Sequence, residues 1–355
     1  MIVFRPIDLV TFLITTKLAK HYIQMAVGIE DIKKLRALTG AGLSDCKNAL
    51  AEAEGNLDAA VELIRKRGQA IAAKRSDREA AEGCVLVKVD GKFGAILALK
   101  CETDFVAKNA DFVALTHEIL DAAIAARCKD IEEVKALNIG GRTVSERITD
   151  QSGITGEKME LDGYQVVEGE CLAAYNHQNN NMLCALVALN ACPGDETVGR
   201  NVAMQIASAS PVAIDESSVP QEVKDTEFKV AVEKTKVEQV QKAVEAAIKK
   251  AGFNSYIAES EEHIEEGVRK GNITEAQADE IRQLKATTAA EKEANLNEAM
   301  IQNIAKGRLG KYFKEVCLLE QEFIWDKSLS VAQYLDGVQK GLTVTAFKRF
   351  TLRAE

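Results

Sequence analysis

Cys101, Glu102 and His117 are the residue types from which a thiol nucleophile could be assembled, and the first two sit in the run Lys100-Cys-Glu-Thr-Asp-Phe-Val-Ala-Lys-Asn109. The thiolate is the reactive form, so such a cysteine needs an exposed, electropositive setting. Cys101 instead closes the apolar stretch Ala95-Ile-Leu-Ala-Leu99, which reads as a strand, and a buried structural thiol is expected. What remains distinctive is the acid and the large aromatic that follow, Asp104 and Phe105. Thr103 can cap a helix at this point, and the helix dipole favours Asp104 in its first turn. A phenylalanine there is either a core residue or an exposed wedge for a partner. Spacing alone favours core, because Phe105 and Phe112 share one helical face.

Little else supports covalent chemistry. No GxSxG, HExxH, P-loop or GxGxxG pattern occurs. Cys46, Cys84, Cys101, Cys128, Cys171, Cys184, Cys192 and Cys317 are scattered singly without a CxxC, the pattern of reduced thiols in a cytoplasmic protein. His21, His117, His177 and His263 never approach a cysteine at metal-ligand spacing, so no metal site or cofactor is expected. Lys+Arg 45 against Asp+Glu 54 gives a net charge of -9, which argues against a general nucleic-acid binder.

At 355 residues the chain has material for two or three domains. Residues 1–24 superficially resemble a signal peptide, but Pro6 and Asp8 interrupt the apolar region and no small-residue cleavage site follows. No stretch reaches membrane-spanning length. They are expected to be an extension ahead of a true initiator at Met25. Residues 25–68 read as a three-helix module, with Ile32, Leu35 and Leu38 on one stripe, Ser44 capping the second helix and Asn56 the third. Residues 69–82 read as a polar, basic, Ala-rich linker carrying Lys74, Arg75 and Arg78, a solvated helix rather than a nucleic-acid patch.

Two later segments echo each other. Residues 83–168 open with strand, Asp-Gly turn, strand and helix, then a helix and an irregular loop; residues 169–220 repeat strand, polar turn, strand and helix. A duplicated hairpin-plus-helix unit and an α+β core of two related halves are expected. Residues 221–305 read as a long helical hairpin, enlarged over 235–295, with Val230, Val232, Val237, Val240, Val244 and Ile248 as its apolar stripe. Residues 306–355 return to mixed structure and end in a strand over Thr343–Phe350.

These elements resemble the elongation factor Ts family. The resemblance begins at Ile32-Lys-Lys-Leu-Arg-Ala-Leu-Thr-Gly-Ala-Gly-Leu-Ser-Asp-Cys-Lys-Asn-Ala-Leu50. It continues through Gly55 and Arg65-Lys-Arg-Gly68 to Glu102-Thr-Asp-Phe-Val-Ala-Lys-Asn109. It resumes at Tyr175-Asn-His177, Glu315-Val-Cys-Leu-Leu-Glu-Gln-Glu-Phe323 and Phe347-Lys-Arg-Phe350, covering residues 26–228 and 296–352. It implies an N-terminal ubiquitin-associated-like domain, a core of two related α+β subdomains, a helical hairpin and a C-terminal module.

The resemblance also implies a function: guanine-nucleotide exchange on GDP-bound elongation factor Tu in the cytoplasm, without covalent chemistry, direct nucleic-acid contact or membrane attachment. A homodimer of heterodimers is left open. It implies that Thr103, Asp104, Phe105 and Val106 carry the working contact, with Phe105 inserted between partner helices. Arg36, Leu43, Ser44 and Lys47 match a surface that touches the GTPase domain, where the family often has Met in place of Leu43 and Ser44. Thr155 and Gly156 match a second contact loop, usually Ile-Gly. His177 matches a core histidine beside a turn that here reads Gln178-Asn-Asn-Asn181, and Ile324 with Trp325 match a docking pair. The rival is a passive adaptor that uses the three-helix module alone.

Overall fold

Short apolar stripes broken by glycine and asparagine make the first three helices. The computed structural model describes residues 28–353, so the expectation for residues 1–24 lies outside the described residues. α1 (Ile29–Thr39) stops at Gly40, whose φ of 69° lets its N–H return to the Arg36 carbonyl. α2 (Leu43–Glu52) starts from Gly42, not from Ser44. The Gly42 carbonyl already accepts the Cys46 N–H at 2.9 Å, which leaves Ser44 inside the first turn. Asn56 does cap α3 (Leu57–Lys74), accepting from the Ala59 N–H at 3.1 Å. Leu35, Cys46, Ala49, Leu50 and Ala60 are fully buried between the three helices. Leu38, expected on the same stripe, is exposed and lines a cleft described below.

The chain divides into two units, one running to Ser210 and resuming at Leu335, the other Pro211–Tyr334. In the first, β1 (Glu82–Asp90) and β2 (Phe93–Cys101) form a hairpin about Gly91. α4 (Asp104–Ala107), α5 (Ala110–Ala126), α6 (Ile131–Ala136), the short pair β3 (Asn138–Ile139) and β4 (Arg142–Thr143), and α7 (Val144–Thr155) follow. β5 (Met159–Glu168) then adds to the free side of β2. The sequence read this last stretch as an irregular loop. Gly163 in mid-strand disguises it, and a Cβ there would lie 2.5 Å from the Phe350 ring, so the ring's close approach requires glycine.

β6 (Cys171–Asn176), β7 (Leu183–Leu189) and α8 (Thr197–Ala209) repeat the plan, and the last strand, β10 (Val344–Thr351), completes it. The sheet orders are β1-β2-β5 and β10-β7-β6, so in each the second hairpin strand is central and the third strand pairs with it antiparallel. This is the expected α+β core of two related halves. Side chains alternate across β2: Ile96 and Ala98 pack with Cys184, Leu186 and Ala188 of the second sheet, while Leu97, Leu99 and Cys101 pack with Phe112, Ile119 and Leu120 of α5. Covered on both faces, β2 reads as a continuous apolar run.

The second unit is helical. α9 (Gln221–Lys250) is one helix; α10 (Ser255–Glu259) and α11 (Glu261–Arg269) form its tip, and α12 (Glu275–Ala294) and α13 (Glu298–Val316) return along it. The return breaks where Asn297 caps α13 by accepting from the Met300 N–H at 3.0 Å. Val230 and Val237, expected inward, are exposed. The small residues Ala231 and Thr235 are buried instead, and Thr235 satisfies its own hydroxyl on the Ala231 carbonyl at 2.6 Å. The tip has its own core of Ile248, Ala258, Ile264, Ala278 and Ile281. β8 (Glu322–Phe323) and β9 (Asp326–Ser330) close the unit as a hairpin that leads into α14 (Val331–Val338).

Candidate partner-binding surface

Between the end of β2 and the start of α4 the chain is tied from several sides. Thr103 donates its N–H to Glu157 Oε2 at 3.0 Å and its hydroxyl to Glu157 Oε1 at 2.6 Å, and its oxygen accepts from the Val106 N–H at 3.5 Å. The Glu102 carboxylate accepts the Lys158 N–H at 2.6 Å, Arg75 Nη1 at 3.0 and 3.1 Å, and Arg78 Nη1 at 3.3 Å. Burial alone would raise the Glu102 carboxyl, but the Lys158 amide and the two guanidiniums outweigh it and hold the group below the usual carboxylate range. The basic linker is helical as far as Lys74, where α3 ends, and most of its residues are exposed, but Arg75 and Arg78 beyond the helix close on Glu102.

Asp104 and Phe105 project from this anchored base. Val106 is half-buried and Ala107 buried against the core, whereas Phe105 is 83% exposed. Asp104 pairs with Lys108 at 2.6 Å, and that hydrogen bond lowers its carboxyl below the ordinary value. The core expectation for Phe105 is overturned. Asn109 accepts the Asp111 N–H at 2.8 Å and starts a new helix, so Phe105 and Phe112 lie on separate helices and only Phe112 is buried.

The thiol site does not assemble. Cys101 is fully buried, with its Sγ 3.2 Å from the Thr103 carbonyl, and burial pushes it up to about 12. His117 is exposed on α5. Among the described residues no group of three or more His, Cys, Asp or Glu could hold a metal ion, and no helix is long and apolar enough to cross a membrane.

The remaining candidates are spread over several elements. Arg36, Leu43, Ser44 and Lys47 are exposed on α1 and α2, with Leu38 beside them in sequence adding apolar surface. Neither Arg36 nor Lys47 has a carboxylate within 4.0 Å among the described residues. Thr155 ends α7 with its hydroxyl on the Gln151 carbonyl at 3.0 Å, and Gly156 caps that helix at φ 71°. His177 is half-buried after β6, its Nδ1 3.3 Å from the Tyr175 hydroxyl, and the turn beyond places Gln178 at φ 52°. Trp325 is 62% exposed in the two-residue turn between β8 and β9, with Ile324 half-buried beside it.

A cleft of about 820 Å³ lies beside the crossing of α3 and α7, lined by Leu38, Ile64, Gly68, Leu115 and Ile154. Among its charged groups Arg147 pairs with Glu118 at 2.5 Å and Arg142 with Asp150 at 3.1 Å, and it gathers no cysteine, serine or histidine. Phe105 is thus an exposed aromatic on a braced turn, and the other candidate residues lie on separate elements.

The family model described as elongation factor TS matches residues 102–354. The chain belongs to the elongation factor Ts family. It is 61% identical to the elongation factor Ts of Phocaeicola vulgatus over 331 residues, which is 93% of this chain and 100% of that protein. It is 60% identical to that of Bacteroides fragilis over the same shares. To that of Porphyromonas gingivalis it is 42% identical over 332 residues, again 93% and 100%. Sequence reasoning missed the groups that hold the Thr103–Phe105 turn: Arg75, Arg78, Glu157 and the Lys158 amide.

Proposed function

We propose that this chain is the exchange factor for elongation factor Tu in the cytoplasm, binding its GDP-loaded form and promoting GDP release. Phe105 acts as a wedge between helices of the GTPase and displaces the groups that hold Mg²⁺ and phosphate in the partner's nucleotide site. Mg²⁺ neutralises phosphate charge in such sites, so its displacement weakens nucleotide binding without any bond being broken. Asp104 assists beside Phe105. Arg36, Leu43, Ser44, Lys47, Thr155, Gly156, His177, Ile324 and Trp325 supply binding energy around them.

The observation that carries this reading is the exposure of Phe105 on a turn fixed at its base. A large aromatic left in water adds almost nothing to folding stability but has its whole apolar surface available to a partner, and aromatic anchors dominate interface energies. Coupling is reciprocal, so GDP weakens factor binding by the factor through which the chain weakens GDP binding. Each tenfold needs about 1.4 kcal/mol of differential binding.

The test is release of a fluorescent GDP from loaded elongation factor Tu. Acceleration that saturates with this chain supports the proposal. Binding that leaves release unchanged would make the chain an adaptor.

A further inference from the structure

α4 has only four residues and cannot hold its own orientation. A single turn fixes several dihedrals for one hydrogen bond, so an isolated one does not persist in water. Its capping bond from Val106 to Thr103 is long at 3.5 Å. Two groups of contacts supply the missing restraint. Beneath, Val106 and Ala107 pack on the core. Upstream, Glu102 is gripped by Arg75, Arg78 and the Lys158 amide, and Thr103 takes both oxygens of Glu157. The Glu102 side chain is 12% exposed and that of Arg75 31%, so this ion pair is shielded enough to define a geometry.

The placement of the arginines is specific. Arg75 is the first residue after α3, so the grip on Glu102 joins the end of an N-terminal-module helix to the root of the Phe105 turn. We infer that Arg75, Arg78 and Glu157 are positioning residues for GDP release: through Glu102 and Thr103 they hold Phe105 in its working orientation before the GTPase arrives. This rests on the wedge reading above. A side chain ordered in advance loses less freedom on insertion, so more of its contact energy is left to disturb the nucleotide site.

The test uses the full chain with Arg75→Met/Arg78→Met, Phe105→Ala and the combination of the three. Three quantities are measured: the saturating GDP-release rate, the half-saturating concentration, and deuterium exchange at amides 104–108 in the free chain. The arginine variant should lower the saturating rate between about 3-fold and 30-fold, the span expected of residues that tune coupling without touching the ligand. Its half-saturating concentration should stay near wild type, and its turn amides should exchange faster. On the Phe105→Ala background the arginine changes should add nothing, because they act only through Phe105. Arg75→Lys should recover part of the rate.

An arginine effect that persists in full without Phe105 overturns the inference, as does wild-type amide protection in the arginine variant. Should Phe105→Ala itself release GDP normally, the wedge reading fails, and the amides alone then decide whether the brace orders the turn. If the double arginine variant does not fold, Glu157→Gln replaces it under the same criteria.

Discussion

Gly153 of α7 lies directly against the backbone of Gly68 in α3, and a Cβ built on Gly153 would overlap the Gly68 Cα. The reverse is not true, since a Cβ on Gly68 would sit 3.4 Å from the Gly153 Cα, an ordinary contact. The two helices therefore cross backbone to backbone, and only one of the glycines is sterically required. Gly153→Ala should force them apart at a cost of about 1–3 kcal/mol, while Gly68→Ala should be neutral or slightly stabilising through helix propensity. Thermal melts of the two variants check this. Equal melting temperatures would mean that the crossing yields without cost.

Phe105 and Phe112 are seven residues apart and opposite in fate, which gives a second paired test. Phe112→Ala removes a fully buried ring and should cost roughly 3–5 kcal/mol. Phe105→Ala removes one that is 83% exposed and should change stability by less than about 0.5 kcal/mol. GDP release should slow strongly with Phe105→Ala while a pull-down still recovers the complex. A folded Phe105→Ala variant with full exchange activity would end the wedge mechanism.

The paired phenylalanines also mark where sequence patterning stops being informative. Strands with alternating or continuous apolar runs, β1, β2, β6, β7 and β10, were legible, as was α8, because their neighbours lie on one repeating face. β5 was not: its Gly163 answers to Phe350, far away in sequence. The exposure of Phe105 was hidden for a different reason. A helical period can be extrapolated only while the helix continues, and Asn109 restarts it. The brace on Glu102 was illegible because it joins residues from three segments, and no local pattern encodes such a meeting. In α9 the predicted stripe holds at the far end, where Val244 and Ile248 join the tip core, whereas nearer its start Ala231 and Thr235 are buried in place of Val230 and Val237.

Thiol chemistry should separate the cysteines sharply. Cys84 and Cys101 are fully buried, and burial pushes them to about 11 and about 12, whereas Cys192 is exposed. Since only the thiolate reacts, a disulfide reagent at pH 8 should label Cys192 first and leave Cys84 and Cys101 untouched until unfolding. Mass spectrometry of the labelled peptides reads this directly. Cys101→Ser should retain GDP release, and its loss in a folded variant would revive a role for the thiol.

The Glu102 brace should be pH-sensitive in one direction. Its carboxyl is held below the unfolded value of about 4.3, so its stabilisation is fully present above that pH and fades as pH falls through the lower folded value. Glu102→Gln should melt below wild type at pH 7, and the gap should narrow as the pH is lowered past about 4. A gap constant from pH 7 to pH 3 would show that the loss is one of shape and not of charge.

Trp325 offers the converse of Phe105. It sits at the turn of a hairpin whose base is fixed by Phe323, buried and stacked on Tyr334 with ring centroids 4.0 Å apart, while Trp325 itself is 62% exposed. Trp325→Ala should therefore leave the melting temperature almost unchanged. As an anchor it should be worth about 2 kcal/mol of binding, which raises the half-saturating concentration in GDP release about 30-fold. The saturating rate should hold, because the wedge is intact once the complex forms. A titration to saturation separates the two residues: Phe105→Ala lowers the plateau and Trp325→Ala moves the midpoint. An unmoved midpoint would remove Trp325 from the interface, and a lowered plateau would place it in the exchange step itself.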